Sequence, residues 1–251
     1  MRRLTPIVLF TFVVASPVLA DETFSLKVGY ATLDPDGKFA GENGGIATEI
    51  DFDDDLGFDS SDGVIAEGAV QLGPFRLSAG YLPLDFSGDG RLTQDITFGG
   101  ETFTVGTDVK SDVEIDVYDF GFAFHLLNLD DGSTRVQLGP ELAVKLADID
   151  MSIRESAGGT SERVGATVPV PTIGARGRVG FADYFGVVGR VGYLEVSGNS
   201  FLDADVQVEF SPVPLVGVFA GYRYVNIDVD ESGVLFDSTL AGPYVGAMVR
   251  F

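Results

Sequence analysis

The chain has 251 residues, 45% of them hydrophobic, and carries 38 acidic against 16 basic side chains for a formal net charge of −22. So acidic a surface excludes nucleic acid as a natural partner, because phosphate binding needs clustered Lys and Arg. Gly numbers 33, there is no Cys or Trp, and no second block of different composition appears, which leaves one domain that needs no disulfide staples.

Residues 1–20 are predicted to be a secretory signal. Arg2 and Arg3 form a basic start, Leu4 to Val14 is mostly apolar, and small residues lead up to Ala20. The apolar run is shorter than the roughly 20 residues of a spanning helix, and Asp21-Glu22 follow at once. Loss of Arg2 and Arg3 takes the net charge from −22 to −24. No Cys sits at the cut, so a lipoprotein anchor is not expected. Nor does any later run reach 18 apolar residues, so the remaining way to span a membrane is a closed β-sheet.

The mature chain, 21–251, shows period-two alternation that predicts ten strands, at 24–33, 64–72, 75–86, 112–126, 134–151, 163–181, 185–197, 202–211, 215–229 and 240–251. Ile46 to Phe52 is also strand-like, but an odd count would leave the termini on opposite sides, so it is assigned to a first long loop at about 34–63. A second long loop at about 87–111 holds a hairpin pattern, Ile96-Thr-Phe98 and Phe103-Thr-Val105 around Gly99-Gly100. Further along, Val136, Leu138, Leu142, Val144 and Leu146 alternate with Gln137, Glu141 and Lys145, and Leu202, Val206, Val208 and Phe210 alternate with Asp203, Asp205, Gln207 and Glu209. Eight strands result if one pair is over-read, twelve if the loop hairpins join the wall.

A soluble sandwich would show the same alternation, and three features favour a membrane barrel instead. Short turns at Gly73-Pro74, 128–133, 182–184 and 211–214 alternate with longer connections. Phe24, Phe75, Phe181, Phe185, Phe210 and Phe251 fall at the short-turn ends of their strands, whereas Tyr30, Tyr81, Tyr118, Tyr193 and Tyr222 lie toward the long loops, giving two aromatic girdles. Eight of the fourteen mature Lys and Arg residues fall on the inward face: Lys27, Arg76, Lys145, Arg176, Arg178, Arg190, Arg223 and Arg250. An aqueous core would not accept them unpaired.

The C-terminal residues Tyr244, Gly246, Val249 and Phe251 resemble the signal by which outer-membrane barrels are read by the barrel-assembly machinery. In size and pattern the mature chain is similar to the broad superfamily of small OmpA-like and OmpW-like barrels, and Asp51 to Asp59 resembles an Asp-Leu-Gly loop motif found among them. The resemblance implies an all-β, antiparallel up-and-down transmembrane barrel with periplasmic termini, exported to the bacterial outer membrane and in contact there with lipid and lipopolysaccharide. It implies no activity, since function does not follow from fold.

Catalysis needs a nucleophile beside a base. The one histidine, His125, falls near a short turn, at the opposite end from the catalytic His of the barrel enzymes, and is expected to be a bonded lumen residue. Asp51, Asp53 and Asp55 begin like a calcium loop, but Leu56 occupies the place of the required Gly and no Glu closes the span, so they are weak metal candidates beside a solvated acidic loop. The inward cations face Glu67, Asp119, Glu141, Asp203, Asp205, Gln207 and Glu209. In a narrow bore such charges pair, which predicts a largely side-chain-filled lumen; the alternative is a small channel for hydrophilic or amphipathic solutes, in which Arg176, Arg178, Arg190 and Arg223 would select anions. The expected role is non-enzymatic, structural or surface-interacting, without cofactor; a lipid-modifying enzyme is the third reading. Oligomeric state is not legible.

Overall fold

A computed structural model describes residues 23–43, 46–52, 55–93, 95–98, 100–130, 134–181, 184–213, 215–231 and 234–251. The signal segment therefore lies outside the described residues, as does Asp53. The strands are β1 (Phe24–Asn43), β2 (Ile46–Asp51), β3 (Ser61–Leu72), β4 (Phe75–Arg91), β5 (Ile96–Phe98), β6 (Glu101–Phe103), β7 (Asp108–Phe124), β8 (Leu127–Asp130), β9 (Thr134–Glu155), β10 (Ser161–Phe181), β11 (Phe185–Val196), β12 (Asn199–Val213), β13 (Val216–Glu231) and β14 (Val234–Arg250).

Ten of these strands, β1, β3, β4, β7 and β9 to β14, form a closed antiparallel barrel in which each neighbours the next. Closure comes from β14 on β1, register Val249 opposite Leu26, and Phe251 and Phe24 exchange backbone hydrogen bonds of 2.8 and 3.0 Å at the seam. Their rings stack 6.3 Å apart. Toward the short turns each wall strand is paired on both sides, which is the condition for crossing lipid.

The strands run well past the predicted ends on the long-loop side: β9 has 22 residues and β10 has 21. Ile46 to Asp51 pairs with Lys38 to Asn43 as a hairpin arm on β1, outside the ten-strand wall. Beyond Ile173, β10 pairs with β9 alone because β11 has turned back at Ser197-Gly198. That open edge carries Pro169 and Pro171, which remove N–H donors where an added strand would need them.

A change of phase along the walls divides the barrel into two halves. Near the short turns, outward Leu138, Leu142, Val144 and Leu146 of β9 are exposed while inward Glu141 and Lys145 are buried. Higher on the same strand the outward residues become Asp148 and Asp150 and the inward ones Ile149, Met151 and Ile153, the last fully buried. On β7, outward Phe122, Phe120 and Tyr118 give way to Asp116, Glu114 and Asp112, and inward Asp119 gives way to Val117, Ile115 and Val113. The lower half is apolar outside and charged inside; the upper half is built like a soluble barrel.

The apolar interior of the upper half is continuous. Leu33, Leu82, Leu84, Phe86, Val225 and Leu240 form one buried layer across the bore. Above it, Phe52, Leu56, Leu92, Ile96, Phe98, Phe103, Val109 and Ile153 form a second. The β5–β6 hairpin, turning at Gly100 with φ +98°, supplies Ile96, Phe98 and Phe103. The hairpin expected in the second long loop is present, and its apolar face packs into the mouth. Asp55 to Gly57 lies against the inner wall at Gly88 and Gly90, where any Cβ would overlap the carbonyl oxygens of Leu56 and Asp55.

Candidate functional site: an ion-paired lumen

Below the apolar layers the inward positions of all ten wall strands bear charge. Period-two geometry puts Lys27 (β1), Glu67 (β3), Arg76 (β4), Asp119 (β7), Glu141 and Lys145 (β9), Arg176 and Arg178 (β10), Arg190 (β11), Asp203 and Glu209 (β12), Arg223 (β13) and Arg250 (β14) on one inner surface.

They converge on two carboxylates. Asp203, 1% exposed, accepts at Oδ2 from Lys145 Nζ (2.8 Å), Arg190 Nη2 (3.2 Å) and Arg223 Nη2 (3.1 Å), and at Oδ1 from Arg223 Nε (3.1 Å). Neighbouring Asp119 shares two of those donors, Lys145 at 2.6 Å and Arg190 at 2.9 Å. Nearer the short turns, Glu209 accepts from Lys27 (2.9 Å), Arg178 (3.0 Å) and Gln207 (2.9 Å), with Arg250 at 3.9 Å. Glu67 joins Arg76 (3.3 Å) and Arg176 (3.5 Å), while Glu141 lies 3.7 Å from Arg176 and 3.8 Å from Arg190.

Bringing these ions out of water costs several kcal/mol each, and their mutual attraction offsets it only when every partner is present. The network therefore supplies register more than net stability: some pairs, such as Lys145–Asp119 and Arg223–Asp203, bridge neighbouring strands, and others, such as Arg176–Glu67 and Lys145–Asp203, join strands that are not neighbours in the wall. The four arginines that an anion channel would need, Arg176, Arg178, Arg190 and Arg223, are all turned onto carboxylates.

Other sequence candidates fall elsewhere. His125 is buried at the short-turn end, its Nδ1 3.1 Å from Gln71 Nε2 and its backbone N–H donating to Pro74 O at 2.8 Å. Asp55 is a structural pin: Oδ2 accepts from Asp51 N (3.0 Å), and Oδ1 accepts from Thr93 Oγ1 (2.6 Å) and Thr93 N (3.3 Å). Among the described residues no group of three His, Cys, Asp or Glu is placed to hold a metal ion. Of the C-terminal signal residues, Val249 and Phe251 continue the outward set of β14, Tyr244 is buried inward, and Gly246 lies where a Cβ would overlap Val28 O.

Two features went unseen in the sequence. Asp203 appeared only as one inward acid among several, although three cations share it. The apolar layers were missed altogether, though their signal was present: Val113, Ile115 and Val117 share the parity of Asp119.

No protein-family model matches the chain, and no curated protein is significantly similar to it. Solved structures do match in fold. The outer membrane protease OmpT from Escherichia coli superposes with a TM-score of 0.58 at 12% identity, over 91% of this chain and 96% of that one. The translocator domain of the autotransporter NalP from Neisseria meningitidis aligns at 14% identity over 92% and 90% of the two chains, with a TM-score of 0.46. Ail from Yersinia pestis aligns at 12% identity over 92% and 100%, with a TM-score of 0.38. At 12% identity the superposition on OmpT shows likeness of fold alone, that of an antiparallel up-and-down β-barrel.

Proposed function

We propose that this chain is a non-conducting, non-enzymatic barrel of the bacterial outer membrane, with a structural or surface-interaction role exercised through its acidic upper half. The observation that carries this reading is the threefold sharing of buried Asp203 by Lys145, Arg190 and Arg223, which ties β12 to its neighbours β11 and β13 and to β9, three strands away in the wall. Two apolar layers above it close the mouth to hydrated ions. The exterior of the upper half presents Asp85, Glu114, Asp116, Asp148 and Asp150, a surface suited to the head-group region and to cationic partners. Export by the 1–20 signal and assembly through Tyr244, Gly246, Val249 and Phe251 belong to the same proposal.

Planar-bilayer recording of the purified, refolded barrel tests it. No discrete openings are expected at moderate voltage. Step conductance from the wild-type protein would overturn the closed-lumen reading in favour of a solute channel.

A further inference from the structure

The hairpin of β9 and β10 outgrows the strand beside it. Pairing of β10 with β11 stops at Ile173 opposite Tyr193, whereas pairing with β9 continues up to Ser161 opposite Arg154. Thr167 and Pro169 lie opposite Asp148 and Leu146, where the outward face turns from apolar to acidic, so the unpaired edge above them belongs to the upper half. Every residue from Arg163 to Pro169 is exposed.

The ladder with β9 runs unbroken through Pro169 and Pro171, and a residue without an N–H permits that where its nitrogen points away from β9. Backbone polar groups alternate in direction along a strand. The N–H groups of Arg163, Gly165 and Thr167 therefore face the open edge with the proline nitrogens, while those of Val164, Ala166 and Val168 face β9. The prolines block the lower end of the edge and leave its upper end with donors and acceptors at alternate residues.

The two faces beside this edge specify what fits it. Inward, Val164, Ala166 and Val168 continue the apolar face of their partners Met151, Ile149 and Ala147, yet Val164 is 44% and Val168 41% exposed, because β11 has turned back below them. Outward, Asp148, Asp150 and Glu195 flank the edge. Arg163 pairs with Asp150, whereas Asp148 and Glu195 accept from the hydroxyls of Thr167 and Tyr193. An added strand thus meets an apolar inner side and an acidic outer one.

We propose that the Arg163–Thr167 edge of β10 is a docking site for an extended segment of a partner protein in which apolar and cationic residues alternate. The segment pairs with β10 through its backbone, covers Val164 and Val168 with its apolar side chains, and turns its cations toward Asp148 and Glu195. A second copy of this chain is disfavoured, since it would bring the same carboxylates to the edge. The site deepens the surface-interaction reading and rests on it; conductance probes the bore and not this edge, so the two tests fail separately.

The probe is a short synthetic peptide of alternating lysine and valine, blocked at both ends, added to the whole mature barrel in uncharged detergent micelles. Its counterpart with glutamate in place of lysine is the control. Amide hydrogen exchange read by NMR should show saturable slowing of about tenfold or more at Arg163, Gly165 and Thr167, and no change at Val164, Ala166 and Val168, which β9 already protects. Gly165→Pro with Thr167→Pro carries the proline pattern up the edge and should abolish the slowing at Arg163 while the ladder with β9 stays intact. Asp148→Asn with Glu195→Gln alters no backbone group and should weaken binding about fivefold at low salt. Slowing that is absent, that the glutamate peptide reproduces, or that persists at Arg163 in the folded proline variant overturns the proposal, as does unchanged affinity in the Asp148→Asn, Glu195→Gln barrel. Slowing at the same amides that rises with barrel concentration alone assigns the edge to a second copy and overturns it too.

Discussion

The two halves of the barrel use one backbone plan with opposite side-chain chemistry. In the lower half, Leu142 and Val144 face outward and Glu141 and Lys145 inward; in the upper half, Asp148 and Asp150 face outward and Met151 and Ile153 inward. The difference follows the solvent. Where the outside is hydrocarbon, apolar side chains gain nothing by turning inward, and polar ones have only the bore. Where the outside is water, the hydrophobic effect draws the apolar side in, and the bore becomes an ordinary packed core. On the proposed outer-membrane reading, the crossing point, between Leu146 and Asp148 on β9 and between Tyr118 and Asp116 on β7, is the upper edge of the lipid band, near Tyr81, Tyr118 and Tyr193.

That contrast predicts different penalties for the two halves. Asp203→Ala strikes the lower one hardest, because Lys145, Arg190 and Arg223 lose a shared counter-ion; about 3–5 kcal/mol of stability should go, measurable by urea unfolding of the barrel in lipid vesicles. A charge-neutral Asp203→Asn should recover part of the loss if hydrogen bonding contributes as well as charge.

In the upper half the sensitive element is packing. Phe103 is 0% exposed within the cap, so Phe103→Ala should cost about 3–5 kcal/mol if the cap unfolds cooperatively with the wall. If the cap melts by itself, the global midpoint will stay put, and amide exchange will rise only across 92–109. That second outcome would separate the halves into independent cooperative units.

Position of the lipid edge is tested by one residue type placed at two heights. Val144→Lys, in the lipid-facing band, should destabilise by about 2–4 kcal/mol, falling as the site nears the interface. Asp237→Lys, exposed on the upper exterior, should change stability by less than about 0.5 kcal/mol. Comparable effects at the two sites would contradict the boundary drawn here. The smallest effect is expected at Arg163, whose 3.1 Å pair with Asp150 is exposed: Arg163→Ala should cost at most about 1 kcal/mol and less in high salt.

Much of the wall was legible because the side-chain period of a strand is two whatever its neighbours are. Alternation along 135–146 and 202–210 gave strand, facing and girdle together, and placed Lys145, Asp203 and Glu209 inside. Strand ends were harder to read. Past Leu146 the pattern stays alternating while its meaning inverts, so hydropathy suggested a strand ending at 151 where pairing continues to Glu155.

By itself, then, the sequence determined the class of fold, the number of wall strands and the parity of each side chain, since these depend on local backbone geometry and on lipid being apolar. Tertiary structure decided which charges meet. Asp203 lies 58 positions and three strands from Lys145, and only the curvature of the sheet into a barrel sets their side chains within hydrogen-bond reach; Arg223, 20 positions away, reaches Asp203 from the neighbouring strand. It also decided that Phe52, Leu56 and Phe103 fold into the mouth: a loop shows its apolar residues in sequence, but what covers them is set by the wall beside which they happen to lie.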